Sequence, residues 1–137
     1  LEEEYRNKVN FVWSAAQDFR ESEKKFRFVF ISGLLIYLND QDLNRLVSNI
    51  SNYTEDGSYI ILRDGTGLNK EYEINDAFSE NLQSYYSAIY RTRQSYIEIF
   101  KREGFRLLCD EDMFEVGHVL NKFKDTRLRI YLFKKDS

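Results

Sequence analysis

Arg63 and Asp64 close the apolar run Ser58 to Asp64, SYIILRD. A charged pair at the carboxyl end of a core strand can anchor a substrate, and a carboxylate there can take the proton a reacting group must lose. Asp64 is the first choice for such a base because no histidine lies near it in sequence; a structural Arg–Asp pair is the competing reading. A second group, Tyr85, Tyr86, Tyr90, Arg91 and Arg93, is dense in rings and guanidinium forks. Aromatics at helical spacing usually pack in a core, but arginine forks also bind carboxylate or phosphate through two parallel bonds. Tyr86, Tyr90, Arg91 and Arg93, with Arg63, are therefore the substrate-binding candidates, for an anionic or polyhydroxyl compound. Ser32 and Gly33 interrupt the apolar run Phe26 to Leu38, and glycine there lets a ligand approach the backbone closely. Tyr37, in the same run, is either core with its hydroxyl tied to a neighbour or a group facing the site.

Other chemistries lack material. One cysteine, Cys109, and one histidine, His118, make neither an internal disulfide nor a structural zinc site, and a histidine-based triad has almost nothing to draw on. Cys109 reads as a buried small hydrophobe and His118 as a surface loop residue.

The elements that must position these groups follow from periodicity. Val9 to Trp13 (VNFVW) and Phe26 to Leu38 (FRFVFISGLLIYL) read as strands, the second nearly continuous and so covered on both faces. Asn39 to Asp42 supplies a cap and early negative charge to a helix carrying Leu43, Leu46, Val47 and Ile50 at i, i+3, i+4, i+7. SYIILRD is the next strand, and Gly65 to Ala77, polar and aperiodic, reads as a lid or substrate loop. Ser79 is placed to cap a long helix through Leu82, Tyr85, Tyr86, Ile89, Tyr90, Tyr96, Ile97 and Phe100, stopped by Gly104. Phe105 to Cys109 and Arg127 to Lys134 are the last strands, expected to pair antiparallel at one sheet end. Alternating strands and helices predict an α/β domain over residues 1–137, with helices on both faces of a mostly parallel sheet. Ligands should sit at the carboxyl ends of its strands, just after Trp13, Ile31 and Leu62.

The chain has 137 residues and a mass of 16.5 kDa, enough for one core but not two. It is 42% hydrophobic and 31% charged, with a net charge of -3, which fits a soluble globular protein and disfavours free nucleic acid as a partner. No apolar run approaches the roughly 20 residues of a membrane span, and LEEEYRNK lacks a signal-peptide layout, so no membrane partner and a cytoplasmic location are expected. The chain begins with leucine, which suggests an upstream segment.

The stretch FRFVFISGLLIYLNDQDLNRLVSNISNYTEDGSYIILRD resembles the fourth strand, following helix and fifth strand of class I S-adenosylmethionine-dependent methyltransferases. VNFVWSAAQDF is similar to that family's third strand and its end, and the closing elements resemble its last helix, sixth strand and antiparallel seventh strand. Two departures are Arg27, where the family usually has aspartate, and Glu55-Asp56-Gly57-Ser58, where it has a Pro-Gly-Gly turn. The family's first strand and glycine-rich cofactor loop have no counterpart, so the resemblance implies a Rossmann-like sheet incomplete at its amino-terminal side, completed by a missing N-terminal segment or a partner chain. It implies S-adenosylmethionine as cofactor, bound by Ala16, Gln17, Asp18, Ser32 and Gly33, and no metal. It implies methyl transfer to a hydroxyl or amine of a small molecule, sugar-like or of secondary-metabolite type, with Asp64 as base and Tyr37 orienting the acceptor. A non-catalytic module of the same fold needing a partner chain, and a protein α-N-terminal methyltransferase, are the alternatives.

Overall fold

The structure, a computed structural model, describes residues 2–137. In chain order it comprises a short helix α1 (Glu3–Arg6), a 3-10 turn (Ala16–Asp18), β1 (Phe26–Ser32), a second 3-10 turn (Leu35–Tyr37), α2 (Asp40–Asn52), β2 (Thr54–Gly67), β3 (Tyr72–Ser79), β4 (Ser84–Tyr90), α3 (Arg93–Arg102), β5 (Phe105–Asp112) and β6 (Thr126–Lys135). Four strands form one sheet in the order β1-β2-β6-β5, while β3 and β4 form a separate two-stranded hairpin.

β1 runs parallel to β2, and β6 lies antiparallel between β2 and β5. The antiparallel last strand is as expected, but the described sheet is mixed rather than mostly parallel. β-branched and aromatic residues alternate along the strands, so one face carries Ile31, Ile60, Leu62, Tyr131 and Phe133, all buried. α2 buries Leu43, Leu46, Val47 and Ile50 with this core, and α3 adds Tyr96 and Phe100. Phe100 stacks on Phe133 with ring centroids 4.5 Å apart. The Asn39 side chain accepts from the Asp42 N–H at 2.8 Å, so the cap legible in the sequence starts α2.

The opposite face departs from the expectation of two covered faces. Phe28 and Phe30 of β1 point away from the core and are 55% and 59% exposed. Ile61, Ile130, Leu132 and Cys109 line a hollow of about 290 Å³ on this side. Cys109 is exposed rather than buried. Helices α2 and α3 both lie on the core face, so the continuous apolar run of β1 has packing on one side only among the described residues.

Three sequence expectations fail locally. Val9 to Trp13 forms no strand: it has no pairing partner, Phe11 and Val12 are exposed, and Trp13 is fully exposed. The strand expected from Ser58 to Asp64 extends from Thr54 to Gly67, and the Gly65–Ala77 loop is instead the end of β2 and most of β3. The long helix from Ser79 to Gly104 is instead strand β4 followed by the ten-residue α3, because Thr92 accepts from the Ser95 N–H at 3.2 Å and starts the helix there.

Candidate functional site

β1 ends at Ser32, and Gly33 follows with φ +60°, a conformation that a β-carbon strains. Its N–H donates to the Arg63 carbonyl at 2.9 Å, which turns the chain over the end of β2 into the Leu35–Tyr37 turn. Two buried charges hold that turn from opposite sides. Asp64 is 0% exposed; its Oδ2 accepts from the Leu34 and Leu35 N–H groups at 3.0 and 2.6 Å, and Oδ1 accepts from the Gly65 N–H at 2.9 Å. Arg91, 1% exposed, donates from Nη1 to the Leu35 carbonyl at 3.0 Å and from Nη2 to the Leu38 carbonyl at 2.7 Å. Its Nε and Nη2 also reach Asp40 Oδ1 at 3.0 and 2.8 Å.

A crevice of about 200 Å³ opens beside this turn, at the carboxyl ends of the parallel pair β1 and β2. Gly33, Ile36, Asp64, Gly65 and Tyr90 form one side; Leu120 to Phe123 and Thr126 to Leu128 form the other. It is smaller than the hollow on the bare sheet face, but parallel α/β sheets bind ligands where this one lies. The Tyr90 ring fits over Gly65 closely: a β-carbon on Gly65 would lie 2.6 Å from Tyr90 Cε1. At Gly67 a β-carbon would run into the carbonyls of Lys70 and Tyr90, so the hairpin backbone itself rests on β2. The Gly67 N–H donates to the Arg91 carbonyl at 3.0 Å, and Leu68 N–H to the Asp125 carbonyl at 2.9 Å, fixing the hairpin root to both neighbours.

Burial pushes the Tyr90 hydroxyl up to about 12, helped by Tyr86, Tyr37 and Asp64 nearby. Tyr90 is therefore a neutral hydrogen-bond donor near pH 7 and no base. Beneath it, burial lifts Tyr96 well above its ordinary value, and its hydroxyl donates to the Gly65 carbonyl at 3.1 Å. Burial raises Asp64 as well, against the opposing pull of the backbone N–H groups of Leu35, Gly65 and Leu34. Asn121, on the far wall, donates through Nδ2 to the Glu115 carbonyl at 2.7 Å, and its Oδ1 is left without a partner.

The structure brings Gly33, Tyr37, Asp64, Tyr86 and Tyr90 into one neighbourhood. Tyr37 is half exposed there rather than packed in the core. Asp64, expected as a general base, has no exposed surface and serves as the acceptor for three backbone N–H groups; the competing reading, a structural Arg–Asp pair, is not formed either, since Arg63 bonds Ser32. Arg91, expected to bind substrate, is spent on the turn. Arg93 is bidentate to Asp110 at 2.7 and 2.9 Å, and Arg63 donates to Ser32 Oγ at 3.1 Å. The three arginines expected to take an anionic compound thus meet protein groups instead. Ala16, Gln17 and Asp18 form a 3-10 turn against α2, where Asn49 Nδ2 donates to the Gln17 carbonyl at 2.8 Å and Asp18 pairs with Arg45 at 3.1 Å; none of them lines the crevice. The loop residues Leu120 to Phe123 escaped notice in the sequence because a polar stretch between two strands carries no periodic signal. His118 sits in that loop, stacked on Phe114.

Arg93 and Arg129 converge on Asp110 of β5, and Arg129 also pairs with Asp112. The Arg93 guanidinium, with help from Arg129, holds the Asp110 carboxyl below the usual carboxylate range against the opposing effect of burial. A carboxyl lowered on folding stabilises the fold above its unfolded value, near pH ~4, and that stability is lost as pH falls through the lower folded value. Acid titration of unfolding free energy should therefore show a loss below about pH 4 that is reduced in Asp110→Asn; an unchanged acid limb would remove this network from the account.

No family model and no curated protein sequence matches the chain. Solved structures do. A Methanosarcina mazei S-adenosylmethionine-dependent methyltransferase superposes with a TM-score of 0.67 at 11% identity, covering 90% of this chain and 65% of that one. A Burkholderia thailandensis 1,6-didemethyltoxoflavin N1-methyltransferase, bound to 1,6-didemethyltoxoflavin and S-adenosylhomocysteine, superposes with a TM-score of 0.72 at 10% identity, covering 98% and 54%. An O-methyltransferase from a trans-AT polyketide synthase of Brevibacillus brevis, in complex with S-adenosylhomocysteine, gives 0.62 at 10% identity, covering 90% and 48%. The chain has the α/β fold of class I S-adenosylmethionine-dependent methyltransferases and spans about half to two thirds of the length of these structures. Among the described residues no group of three or more His, Cys, Asp or Glu is placed to hold a metal ion, and no helix is long and apolar enough to cross a membrane.

Proposed function

We propose that this chain, which carries the carboxyl-terminal portion of the class I methyltransferase fold, supplies the acceptor side of an S-adenosylmethionine-dependent methyltransferase acting on a hydroxyl or amine of a small molecule. The observation that carries the reading is the crevice at the carboxyl ends of β1 and β2, lined by Gly33, Asp64, Gly65 and Tyr90, within the strand order β1-β2-β6-β5. The residues present fit the cofactor's neighbourhood: nothing lies within 4 Å of the place a Gly33 β-carbon would occupy, so a ligand can reach the backbone there. Ser32 and Gly33 would hold the cofactor at the end of β1, while Ala16, Gln17 and Asp18, packed against α2, do not reach that crevice.

When bound, the sulfonium of the cofactor supplies an electrophilic methyl group. The chain's own residues act by positioning, which for two oriented reactants contributes about 7–11 kcal/mol to lowering a barrier. The Tyr90 hydroxyl, kept protonated by burial, donates a hydrogen bond to the acceptor, Tyr37 orients it from the turn, and the proton that the methylated oxygen or nitrogen loses passes to water at the mouth of the crevice. With Arg63, Arg91 and Arg93 committed to protein partners, the tyrosines favour a neutral planar or hydroxylated compound over an anion.

The exposed Phe28 and Phe30 and the free edge of β1 favour a further feature. The remaining cofactor contacts come from additional polypeptide covering that face, either a segment of the same protein or a partner chain. A fold that only assembles with a partner and never transfers a methyl group is the second reading this surface supports. Incubating the complete natural protein with methyl-labelled S-adenosylmethionine and a panel of small hydroxyl and amine compounds separates the two. Label transfer that falls in Tyr90→Phe with unchanged S-adenosylhomocysteine affinity supports the enzyme; equal loss of both would place Tyr90 outside the acceptor site.

A further inference from the structure

The Leu35–Tyr37 turn presents the one tyrosine of the site that no regular strand or helix carries. A turn of three residues has little intrinsic stability, and this one lies at an open crevice. Its backbone is nonetheless satisfied at both ends by charged side chains from elements far away in sequence. Asp64, at the end of β2, takes the N–H groups of Leu34 and Leu35; Arg91, between β4 and α3, takes the carbonyls of Leu35 and Leu38. The two side chains grip Leu35 through its N–H and its C=O, and that residue is 0% exposed. The backbone of Arg91 is tied in turn to β2 through the Gly67 N–H.

We propose that Arg91 is a positioning residue: through its grip on the Leu35 and Leu38 carbonyls it fixes the turn that carries Tyr37, and it couples that turn to the root of the β3–β4 hairpin. A guanidinium suits this task because its planar fork spans several acceptors at once, whereas a lysine ammonium is a single point on a flexible stem. The third partner, Asp40, takes two further bonds from the guanidinium on one oxygen, Oδ1, which asparagine would keep; its side chain is 79% exposed, so solvent screens its charge. The inference rests on the proposed function only in naming the turn as the acceptor's; the grip itself is independent of any reaction.

Amide hydrogen exchange on the complete natural protein, without ligand, tests it. The Leu34, Leu35, Tyr37 and Leu38 amides are all bonded in the turn and report its opening. Arg91→Met should accelerate exchange there by about tenfold to a hundredfold, since bonds from a charged donor are the strong ones, while amides of the β2–β6 pairing change by less than about twofold. Arg91→Lys should show a smaller acceleration at the same amides, and Asp40→Asn almost none. Fluorotyrosine at position 37 adds a readout of side-chain position, and its resonance should broaden or move in Arg91→Lys but not in Asp40→Asn. If Arg91→Met does not fold, the lysine variant and the resonance decide. Unchanged turn amides in Arg91→Lys, or equal acceleration throughout the sheet, would overturn the proposal. Loss of S-adenosylhomocysteine binding in the parent protein, with the turn still loosened by Arg91→Lys, would instead sink the functional reading and leave this one standing.

Discussion

Gly67→Ala is expected to lower stability by about 3 kcal/mol, at the upper end of what overpacking costs, and to free the β3–β4 hairpin from the sheet. The new methyl group meets the carbonyls of Lys70 and Tyr90, which are backbone atoms and cannot swing aside like the end of a side chain. Relief requires the whole hairpin root to move, and that breaks the bond from the Gly67 N–H to the Arg91 carbonyl, worth about 1 kcal/mol more. Tyr90 leaves its seat over Gly65 with the hairpin, so the crevice loses its best-placed donor. Denaturant unfolding measures the first effect, and hydrogen exchange along Tyr72 to Tyr90 measures the second. Gly65→Ala is the informative contrast, because there the obstacle is the Tyr90 ring itself. Adding Tyr90→Ala should rescue Gly65→Ala and leave Gly67→Ala unrelieved. A Gly67→Ala protein as stable as the parent would mean that the hairpin does not rest on β2 as described.

Asp64→Ala carries the other large effect, a loss of about 3–5 kcal/mol, because it strands three N–H groups in a buried place where each lost partner costs about 1–3 kcal/mol. Asp64→Asn keeps an acceptor oxygen for Leu34 and Leu35 but turns an amide NH2 toward the Gly65 N–H, and should cost about 1–2 kcal/mol. The pH dependence has a definite sign. Burial raises the folded carboxyl above its unfolded value, so the folded protein holds that proton more tightly. The stability this proton linkage contributes is present below pH ~4 and is lost as pH rises through the higher folded value. Asparagine does not titrate, so the stability gap between parent and Asp64→Asn should narrow from about pH 4 toward neutrality. That is opposite to the trend for Asp110. Unfolding free energies across this range check both signs, and a gap that widens toward neutrality would mean the carboxylate is better stabilised inside than in water. Because Asp64 holds the turn rather than the acceptor's proton, turnover in Asp64→Asn should fall with turn order, tracking exchange at Leu35.

How much of this was legible in the sequence depends on whether local pattern and tertiary packing agree. α2 could be read from its start in the Asn39 to Asp42 stretch, since those capping residues and the Leu43, Leu46, Val47, Ile50 spacing demand the same helix that packing rewards. The last strand, read as Arg127 to Lys134, was equally plain, whereas the strand read as Phe26 to Leu38 stops at Ser32 and gives way to the Leu35–Tyr37 turn. The β3–β4 hairpin was not, because Leu82, Tyr85, Tyr86, Ile89 and Tyr90 fit a helical spacing as well as a strand. The discriminating signal in the sequence was Thr92 as a late cap; the alternation of Tyr86, Ala88 and Tyr90 against exposed Tyr85 and Ser87 shows only in the structure. Val9 to Trp13 has strand composition without a neighbour to pair with, and composition alone does not make a strand. At the site, Gly33 and Asp64 were singled out from strand ends, whereas Tyr37 was read within a continuous strand and Tyr90 on a helix that the structure replaces by β4. The parts of Asp64 and Arg91 were not readable, since a buried charge that satisfies distant backbone groups and one that meets a ligand look the same in one dimension.

The most direct test of the methyltransferase reading is thermal unfolding of the complete natural protein with and without S-adenosylhomocysteine. A ligand at a hundred times its dissociation constant stabilises the form that binds it by about 2.7 kcal/mol, a shift of several degrees for a domain of this size. The expected result is a concentration-dependent rise in the unfolding temperature that adenosine alone reproduces weakly. An unfolding temperature unmoved at millimolar S-adenosylhomocysteine would contradict the cofactor assignment and leave a methyltransferase-like fold used for assembly.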